Sequence, residues 1–258
     1  MKKLSIISRS TLIATATSAL LVSGAFAQQN TTSSFGIEVS SPIYEYSLKP
    51  GDTQQDIIKV KNVGTDKATY YPEILDFTSD NSTGAPKFLP DSEDNGKYSL
   101  KRWISITKES VTIDPDKSEA FNFIISVPAD AEAGGHYAGI LFSTDPAAIG
   151  GTGAALKSKV GSLVLVRIAG DIKESASIKS FKSDKDSYDN ANKINFDVNI
   201  ENTGNVHVQP KGVVTVKNIF GGKVASVDVN SLSANVLPGS TRVFNSTWTD
   251  PGFKLGFY

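Results

Sequence analysis

Cysteine is absent from this 258-residue sequence, and histidine occurs only twice. Without cysteine the fold cannot be cross-linked by disulfides, and thiol catalysis and thiolate metal sites are excluded. His136 and His207 lie far apart in the chain, and no G-x-S-x-G motif is present. Neither a zinc site nor a serine triad is therefore predicted. We expect a protein that is not an enzyme and that uses no metal or cofactor.

Long apolar runs are absent after residue 27, so no later segment is predicted to cross a membrane. The first residues differ: Lys2, Lys3 and Arg9 precede a small and apolar stretch that ends in Ala25-Phe26-Ala27. A basic start, an apolar middle and a small-x-small end are typical of a secretory signal peptide. We predict that residues 1–27 are removed and that the chain is exported to the cell envelope, the cell surface or the periplasm.

An excess of positive charge is also absent, since 26 basic residues face 27 acidic ones. The predicted signal peptide carries three of the basic residues and no acidic one, so the exported chain is more acidic still. Proteins that bind nucleic acids present clustered positive charge to the phosphates. Nucleic acid is therefore not an expected partner.

What the sequence has in abundance is the alternation of apolar and polar residues that is typical of half-buried strands. Clear examples are "AFNFIISVP" and "KINFDVNIEN", and Gly, Pro, Asn and Asp turn signals separate such runs at short spacing. No long run has helical spacing. This pattern predicts an all-β protein made of two tandem immunoglobulin-like β-sandwiches, at residues 28–172 and 173–258, with a linker near "GDIKESAS".

Two Asn-x-Gly corners, Asn62-Val63-Gly64 and Asn202-Thr203-Gly204, support the tandem arrangement. They lie 140 residues apart and align without gaps together with the apolar strands that precede them. Asn and Gly tolerate a left-handed backbone conformation, and an Asn side chain can form hydrogen bonds with the backbone of the turn. We interpret both corners as structural turns rather than as functional sites.

The succession "SLKPGDTQQDIIKVKNVG", "VTIDPDKSEAFNFIISVPADAEAGGHYAGILF", "NTGNVHVQPKGVVTVKNIFGGKV" and "NVLPGSTRVF" resembles the bacterial WxL-interacting protein family. The likeness extends from about residue 35 to the end. It implies two immunoglobulin-like domains, the first binding peptidoglycan and the second engaging a surface protein. The partner would then be a cell-wall polymer or a surface protein. The family usually ends in a membrane helix and a basic tail, so anchoring here would need a segment beyond residue 258.

Two other functions compete with envelope binding or adhesion. A periplasmic chaperone similar to those of pilus assembly would also pair two immunoglobulin-like domains and would bind a partner's strand by edge addition. It would need a basic pair in the cleft between domains, for which Arg167 is one candidate and no second stands out. The third possibility is an accessory module of a carbohydrate-active system, which the lack of a catalytic domain disfavours.

Aromatic residues give the candidate ligand surface. Tyr44 and Tyr46 are two positions apart and should share one face of a strand, and Tyr70 or Tyr71 lies on the strand after the Asn62 corner. Exposed tyrosine rings can stack on sugars while their hydroxyls bond the ligand. Burial in the first core is an equally good explanation of these residues.

The end of the sequence gives the last expectation. In the second module we count strands near 176–182, 193–201, 206–219, 223–229 and 241–248, and the chain then ends in "DPGFKLGFY". We expect the terminus to fall within a strand, so that the second module lacks its final strand. Either the sequence is part of a longer protein, which we favour, or a partner supplies the strand by β-addition.

Overall fold

Strands make up almost all the regular structure of the described residues, with two single 3-10 turns at Gly96–Tyr98 and Lys101–Trp103. The computed structural model describes residues 36–93, 95–144, 159–185, 188, 193–218 and 220–249. The strands are β1 Ile37–Val39, β2 Ile43–Leu48, β3 Thr53–Asn62, β4 Ala68–Ser79, β5 Pro86–Phe88, β6 Ile104–Ile106, β7 Val111–Ile113, β8 Ser118–Ser126, β9 Gly134–Ser143, β10 Val160–Ile168, β11 Ala176–Ser183, β12 Lys193–Asn202, β13 Gly212–Lys217, β14 Lys223–Val229 and β15 Thr241–Thr249. The predicted all-β class is confirmed.

Strands β1 to β10 form two facing sheets, which we call the first sandwich. One sheet has the order β1-β3-β8-β6, and the other has the order β2-β10-β9-β4-β5 with β7 also paired to β4. Alternate residues of β8, namely Phe121, Phe123 and Ile125, are buried between the sheets, as the period-2 pattern predicts. Ile140 and Phe142 of β9 meet them from the opposite sheet. The apolar core of the first sandwich therefore lies between these two sheets.

The first part of the chain contributes to both sheets of this sandwich. Strand β1 pairs antiparallel with β3, whereas β2 pairs parallel with β10 in the facing sheet. The change of sheet occurs at Ser40 to Pro42, where proline lacks the N–H that would continue a ladder. The sequence predicted antiparallel sandwiches, and the β2–β10 pair is an exception to that prediction. Strand β2 consequently ends its sheet.

Strands β11 to β15 form the second sandwich, a three-stranded sheet β11-β12-β15 and the hairpin β13-β14. Four of its five predicted strands are confirmed to within one residue. The predicted strand 206–219 is wrong in its first half, because regular pairing begins only at Gly212. Residues before it make a single bridge, Val208 to Val236, and Pro210 cannot donate a ladder hydrogen bond.

The two Asn-x-Gly segments are corners, as predicted, and the side chain of each asparagine bonds its own turn. Neither corner uses the left-handed backbone that Asn and Gly tolerate, because none of Asn62, Gly64, Asn202 and Gly204 has a positive φ. Glycine is required at position 204 for a different reason: an added Cβ would overlap Lys173 O. The second corner therefore depends on the close approach of two backbone segments.

The two sandwiches are joined by backbone hydrogen bonds. Gly135 N of β9 donates to Asn205 O at 2.8 Å, and Val243 N of β15 donates to Ser82 O at 2.8 Å. All described residues belong to one compact unit, so the division into two domains stays a prediction. The predicted signal peptide 1–27 and the chain end 250–258 lie outside the described residues. Within the described part, no helix has the length and hydropathy for crossing a membrane.

Candidate binding cleft

Tyr44 and Tyr46 share one face of β2, as predicted, and that face turns towards the core of the first sandwich. Their rings stack with centroids 6.5 Å apart. Tyr44 Oη donates to Ile57 O at 2.9 Å, and Tyr46 Oη donates to Asp56 Oδ2 at 2.7 Å. Burial, together with the Asp56 carboxylate, raises the pKa of Tyr46 above its ordinary value. Both hydroxyls thus tie β2 to β3 across the sandwich.

Tyr70 and Tyr71 point to opposite faces of β4 because they are consecutive. Tyr70 is fully buried, and its Oη donates to Gly36 O at 3.1 Å. Burial raises the pKa of Tyr70. Tyr71 is partly exposed on the outer face of β4, beside Ser143. The structure therefore brings Tyr44 and Tyr46 together, but it does not join the four tyrosines into one surface, and the ring of Tyr70 cannot face a ligand.

A cleft lies instead on the outward side of β2 and β10, where the second sandwich approaches the first. Because Tyr44 and Val164 face the core, the neighbouring side chains of both strands face outward. One part of the cleft, the apolar pocket, has a volume of about 700 Å³. Its walls include the apolar residues Ile43, Phe77, Leu163, Leu165, Leu232 and Leu237 and the polar residues Glu45, Asn235 and Arg242.

A hydrogen bond joins the two walls of the apolar pocket, and further contacts fix the wall of the second sandwich. Asn235 Nδ2 of the second sandwich donates to Glu45 Oε1 of β2 at 2.5 Å. Arg242 Nη1 donates to Asn235 O at 3.0 Å, and its guanidinium lies 5.6 Å from the centre of the Phe244 ring. Burial lowers the pKa of Arg242, which stays positively charged because its ordinary value is far above neutrality. The pocket is therefore formed before any ligand enters.

The backbone of β2 has a free edge along this cleft. Pro42 O and Leu48 O accept hydrogen bonds from β10 and the residue after it. In a strand, every second residue directs its N–H and C=O to the same side, so those of Glu45 and Ser47 point away from β10. Among the described strands, none other than β10 pairs with β2. Unpaired edges of this kind accept an added strand.

The other end of the edge leads into a second pocket of about 400 Å³, which we call the basic pocket because Lys49 and Arg167 line it, together with Ser47, Leu48, Ala169, Gly170 and Ile172. Arg167 forms an ion pair with Glu174, and its Nη2 donates to His207 O at 3.5 Å. Within the described residues no ion pair involves Lys49. Lys49 follows β2 and Arg167 lies on β10, so the parallel pairing of these strands brings two positive charges that are remote in sequence to one pocket.

The histidines support the structure around the cleft. His207 Nδ1 lies 3.4 Å from Tyr137 Oη, and both residues are buried where the two sandwiches meet. Burial lowers the pKa of His207 and raises that of Tyr137, so both side chains are favoured in their neutral forms. The ring nitrogens of His136 each lie 3.1 Å from a carbonyl oxygen, of Ser99 and of Glu132. Both histidines thus have structural partners.

In the part of the chain that the structure describes, no three His, Asp or Glu side chains are grouped so that they could hold a metal ion. The cleft offers a strand edge, apolar walls and two positive charges. These features suit the binding of a peptide segment.

No family model matches the sequence, and no curated protein matches it. Solved structures with a similar fold include a chain of a chaperone–tip adhesin complex of CFA/I fimbriae, at 13% identity and a TM-score of 0.41 over 86% of this chain and 95% of that one. The Escherichia coli chaperone DraB matches at 14% identity and a TM-score of 0.38, over 85% and 88%.

The chaperone–tip adhesion subunit complex CsuC–CsuE of Acinetobacter baumannii matches at 11% identity and a TM-score of 0.40, over 86% of this chain and 89% of that one. At such identities and scores the likeness concerns the fold alone. The argument about function therefore depends on the cleft.

Proposed function

We propose that this chain is an exported, non-catalytic binding protein that holds an extended segment of a partner protein in the cleft, in the manner of a pilus-assembly chaperone. The observation that carries the proposal is the free edge of β2, which runs from the apolar pocket to the basic pocket. A partner strand added to this edge gains main-chain hydrogen bonds, and the pockets select its side chains.

Each part of the cleft has a distinct task in this proposal. The outward N–H and C=O groups of Glu45 and Ser47 bind the partner backbone. The apolar pocket takes a large side chain against Leu163 and Leu165, which removes apolar surface from water. Lys49 and Arg167 attract a carboxylate at the end of the bound segment. Such a carboxylate competes with Glu174 for Arg167, so Lys49 is the more available charge.

A cell-wall polymer as the ligand, and membership of the WxL-interacting family, stay predictions. The hydroxyls of Tyr44 and Tyr46 are used within the fold, and Tyr70 is inside the core. An accessory role in a carbohydrate-active system also stays a prediction. The free strand edge favours a polypeptide partner over these alternatives.

The test replaces one residue of the edge. Proline at position 47 removes an N–H that points away from β10, so Ser47→Pro should block strand addition without breaking the β2–β10 ladder. Ser47→Ala keeps the N–H and is the matched control. The exported chain, residues 28–258, is immobilised and exposed to an envelope extract, and bound proteins are identified by mass spectrometry.

The expected result is capture of a defined set of envelope proteins by the original chain and by Ser47→Ala, and its loss in Ser47→Pro, with similar thermal unfolding of all three. Equal capture by Ser47→Pro would exclude addition at β2. Binding of purified peptidoglycan in place of protein would favour the cell-wall prediction.

A further inference from the structure

The second sandwich has an inner face that its own strands leave partly open. Ile178 and Phe181 of β11 lie opposite Ile200 and Val198 of β12 in the antiparallel ladder, so all four side chains point to the same face. Ile200 and Val198 are 7% and 4% exposed, whereas Ile178 and Phe181 are 67% and 54% exposed. These two large side chains point towards the inside of the sandwich, and none of the described strands covers them.

The space beside them is a groove of about 410 Å³, which we call the β11–β13 groove. Strand β11 ends the three-stranded sheet on one side, and β13 ends the hairpin sheet on the other. Among the described residues no strand pairs with the outer edge of either one. The lining is mostly apolar and includes Ile178, Phe181, Val198, Ile200, Val213 and Val214. An open strand edge can pair with an added strand, and the apolar floor beside it can take the apolar side chains of that strand.

The strands that flank this groove carry charge of one sign. Lys211 lines the groove, and Lys179, Lys182 and Lys217 lie on the flanking strands β11 and β13, which contain no acidic residue. Lys179 is paired with Glu201 at 3.5 Å. The other three form no ion pair among the described residues. The rim of the groove therefore attracts an acidic segment and repels a basic one.

We propose that the β11–β13 groove is a second docking site, separate from the cleft, which binds an extended segment of another protein in which large apolar and acidic side chains alternate. The segment adds to the free edge of β13, which is six residues long. One face of the added strand covers Ile178 and Phe181, and its other face presents carboxylates to the lysines of the rim.

A second copy of this chain fits the groove less well. Pairing of β13 with β13, or of β11 with β11, would place lysines of one copy beside lysines of the other. Lysines on edge strands oppose such self-pairing. The same charges favour an acidic strand, so the partner is a different segment.

The experiment uses a fluorescent ten-residue peptide with blocked termini, in which Glu alternates with Val or Phe, and the exported chain 28–258. We expect saturable binding by fluorescence anisotropy and slower amide exchange in β13. Ile178→Asp should abolish binding, because it puts a carboxylate on the groove floor. Since Ile178 is 67% exposed, this substitution should leave folding intact. Ile57→Asp, at an exposed apolar position of β3, is the matched control and should bind normally.

Two further variants test whether the lysines attract the peptide and whether the peptide binds in the groove rather than in the cleft. Lys211→Glu should weaken binding about two- to fivefold at low salt, the size expected for an exposed ion pair. Ser47→Pro, which disables the β2 edge, should bind the peptide as the original chain does. Loss of peptide binding in Ser47→Pro would mean that the peptide occupies the cleft and would overturn the assignment to the groove.

Other results would also overturn the proposal. These are no binding by the original chain, equal binding of the same peptide with Lys in place of Glu, and binding only after residues 250–258 are deleted, which would identify the chain's own end as the occupant. A dimer in sedimentation that Ile178→Asp dissociates would identify a second copy instead.

Discussion

Asn62 and Asn202 make the same set of hydrogen bonds at equivalent corners of the two sandwiches. Asn62 Oδ1 accepts from Gly64 N at 2.9 Å, and Nδ2 donates to Asp66 O at 2.8 Å and to Ile113 O at 3.0 Å. The first two bonds fix the turn, and the third ties it to a strand distant in sequence. The side chain is 1% exposed.

Asn202 repeats this arrangement in the second sandwich. Its Oδ1 accepts from Gly204 N at 2.8 Å, and its Nδ2 donates to Val206 O at 2.7 Å and to Val236 O at 2.8 Å. The side chain is fully buried. The local partners lie two and four residues further on in both corners, so the corner is a repeated structural unit.

Replacement of either asparagine by alanine should destabilise the fold. Asn62→Ala or Asn202→Ala leaves one N–H and two carbonyls, which are partly or fully buried, without partners, and this should lower the free energy of unfolding by about 2–4 kcal/mol. Asn122→Ala, at an exposed position of β8, should change it by less than about 0.5 kcal/mol. Urea unfolding of the three variants measures the difference. Equal urea midpoints for the three variants would show that the hydrogen bonds of Asn62 and Asn202 do not stabilise the fold.

The backbone of Lys173 passes close to Gly204, whereas the space around Gly212 is open, so alanine variants at these two glycines form a matched pair. Gly204→Ala places a Cβ against Lys173 O, a backbone atom that cannot move aside easily, so we expect a loss of more than about 1 kcal/mol. Gly212→Ala meets no atom within 4 Å and should be neutral or slightly stabilising. Thermal unfolding checks both. A similar effect at the two positions would contradict the role of the close approach.

Asp76 anchors the segment that carries the two 3-10 turns. Its buried carboxylate accepts from Leu100 N and Lys101 N, both at 2.9 Å, and from Ser99 Oγ at 2.5 Å. Asp76→Ala leaves these donors without an acceptor, so it should lower the free energy of unfolding by about 2–4 kcal/mol. Asp130→Ala, at an exposed position away from this segment, is the control. Loss of protection should be greatest at the amides of Leu100 and Lys101 in hydrogen exchange, and unchanged protection there would refute the role.

Asp80 should titrate at unusually low pH. Its carboxylate accepts hydrogen bonds from Thr83 Oγ1 and from the backbone of Ser82 and Gly84, which lower its pKa to about 2. Because the folded pKa lies below the unfolded one, the carboxylate stabilises the loop at pH above about 4 and ceases to do so as pH falls towards about 2.

The loop matters because Ser82 O holds β15 through Val243 N. Carbon-13 NMR titration of the Asp80 carboxyl measures its pKa directly. Val243 should lose amide protection over the same pH range, and Asp80→Asn should remove that pH dependence. An Asp80 pKa near 4 would contradict the prediction.

The class of fold could be predicted from the sequence because it depends on local patterns. Alternation in β8 and β12 follows from each strand having one face in a core, and both strands were located correctly. The failure at 206–211 has a local cause as well. Val206 is buried and Val208 makes a bridge, so the apolar pattern continues although the ladder has not yet begun.

The cleft could not be predicted because it depends on pairing between remote segments. Parallel pairing of β2 with β10 puts Lys49 and Arg167 in the same pocket. The residues of either strand alone do not show which residues of the two strands will pair. The sequence could not decide between Tyr70 and Tyr71 for a related reason. The alternation of a strand predicts that Tyr70 and Tyr71 lie on opposite faces of β4. It does not predict which of the two faces packs against the core.

Amide hydrogen exchange of Glu45 and Ser47, in the exported chain alone and in a complex purified from envelope extract, tests the central claim most directly. Strand addition at β2 should slow exchange at both amides by at least about tenfold, because each N–H then donates to the partner backbone. Tyr44 and Tyr46, whose amides already face β10, should change little. A stable complex in which Glu45 and Ser47 exchange as fast as in the free chain would contradict the proposed function.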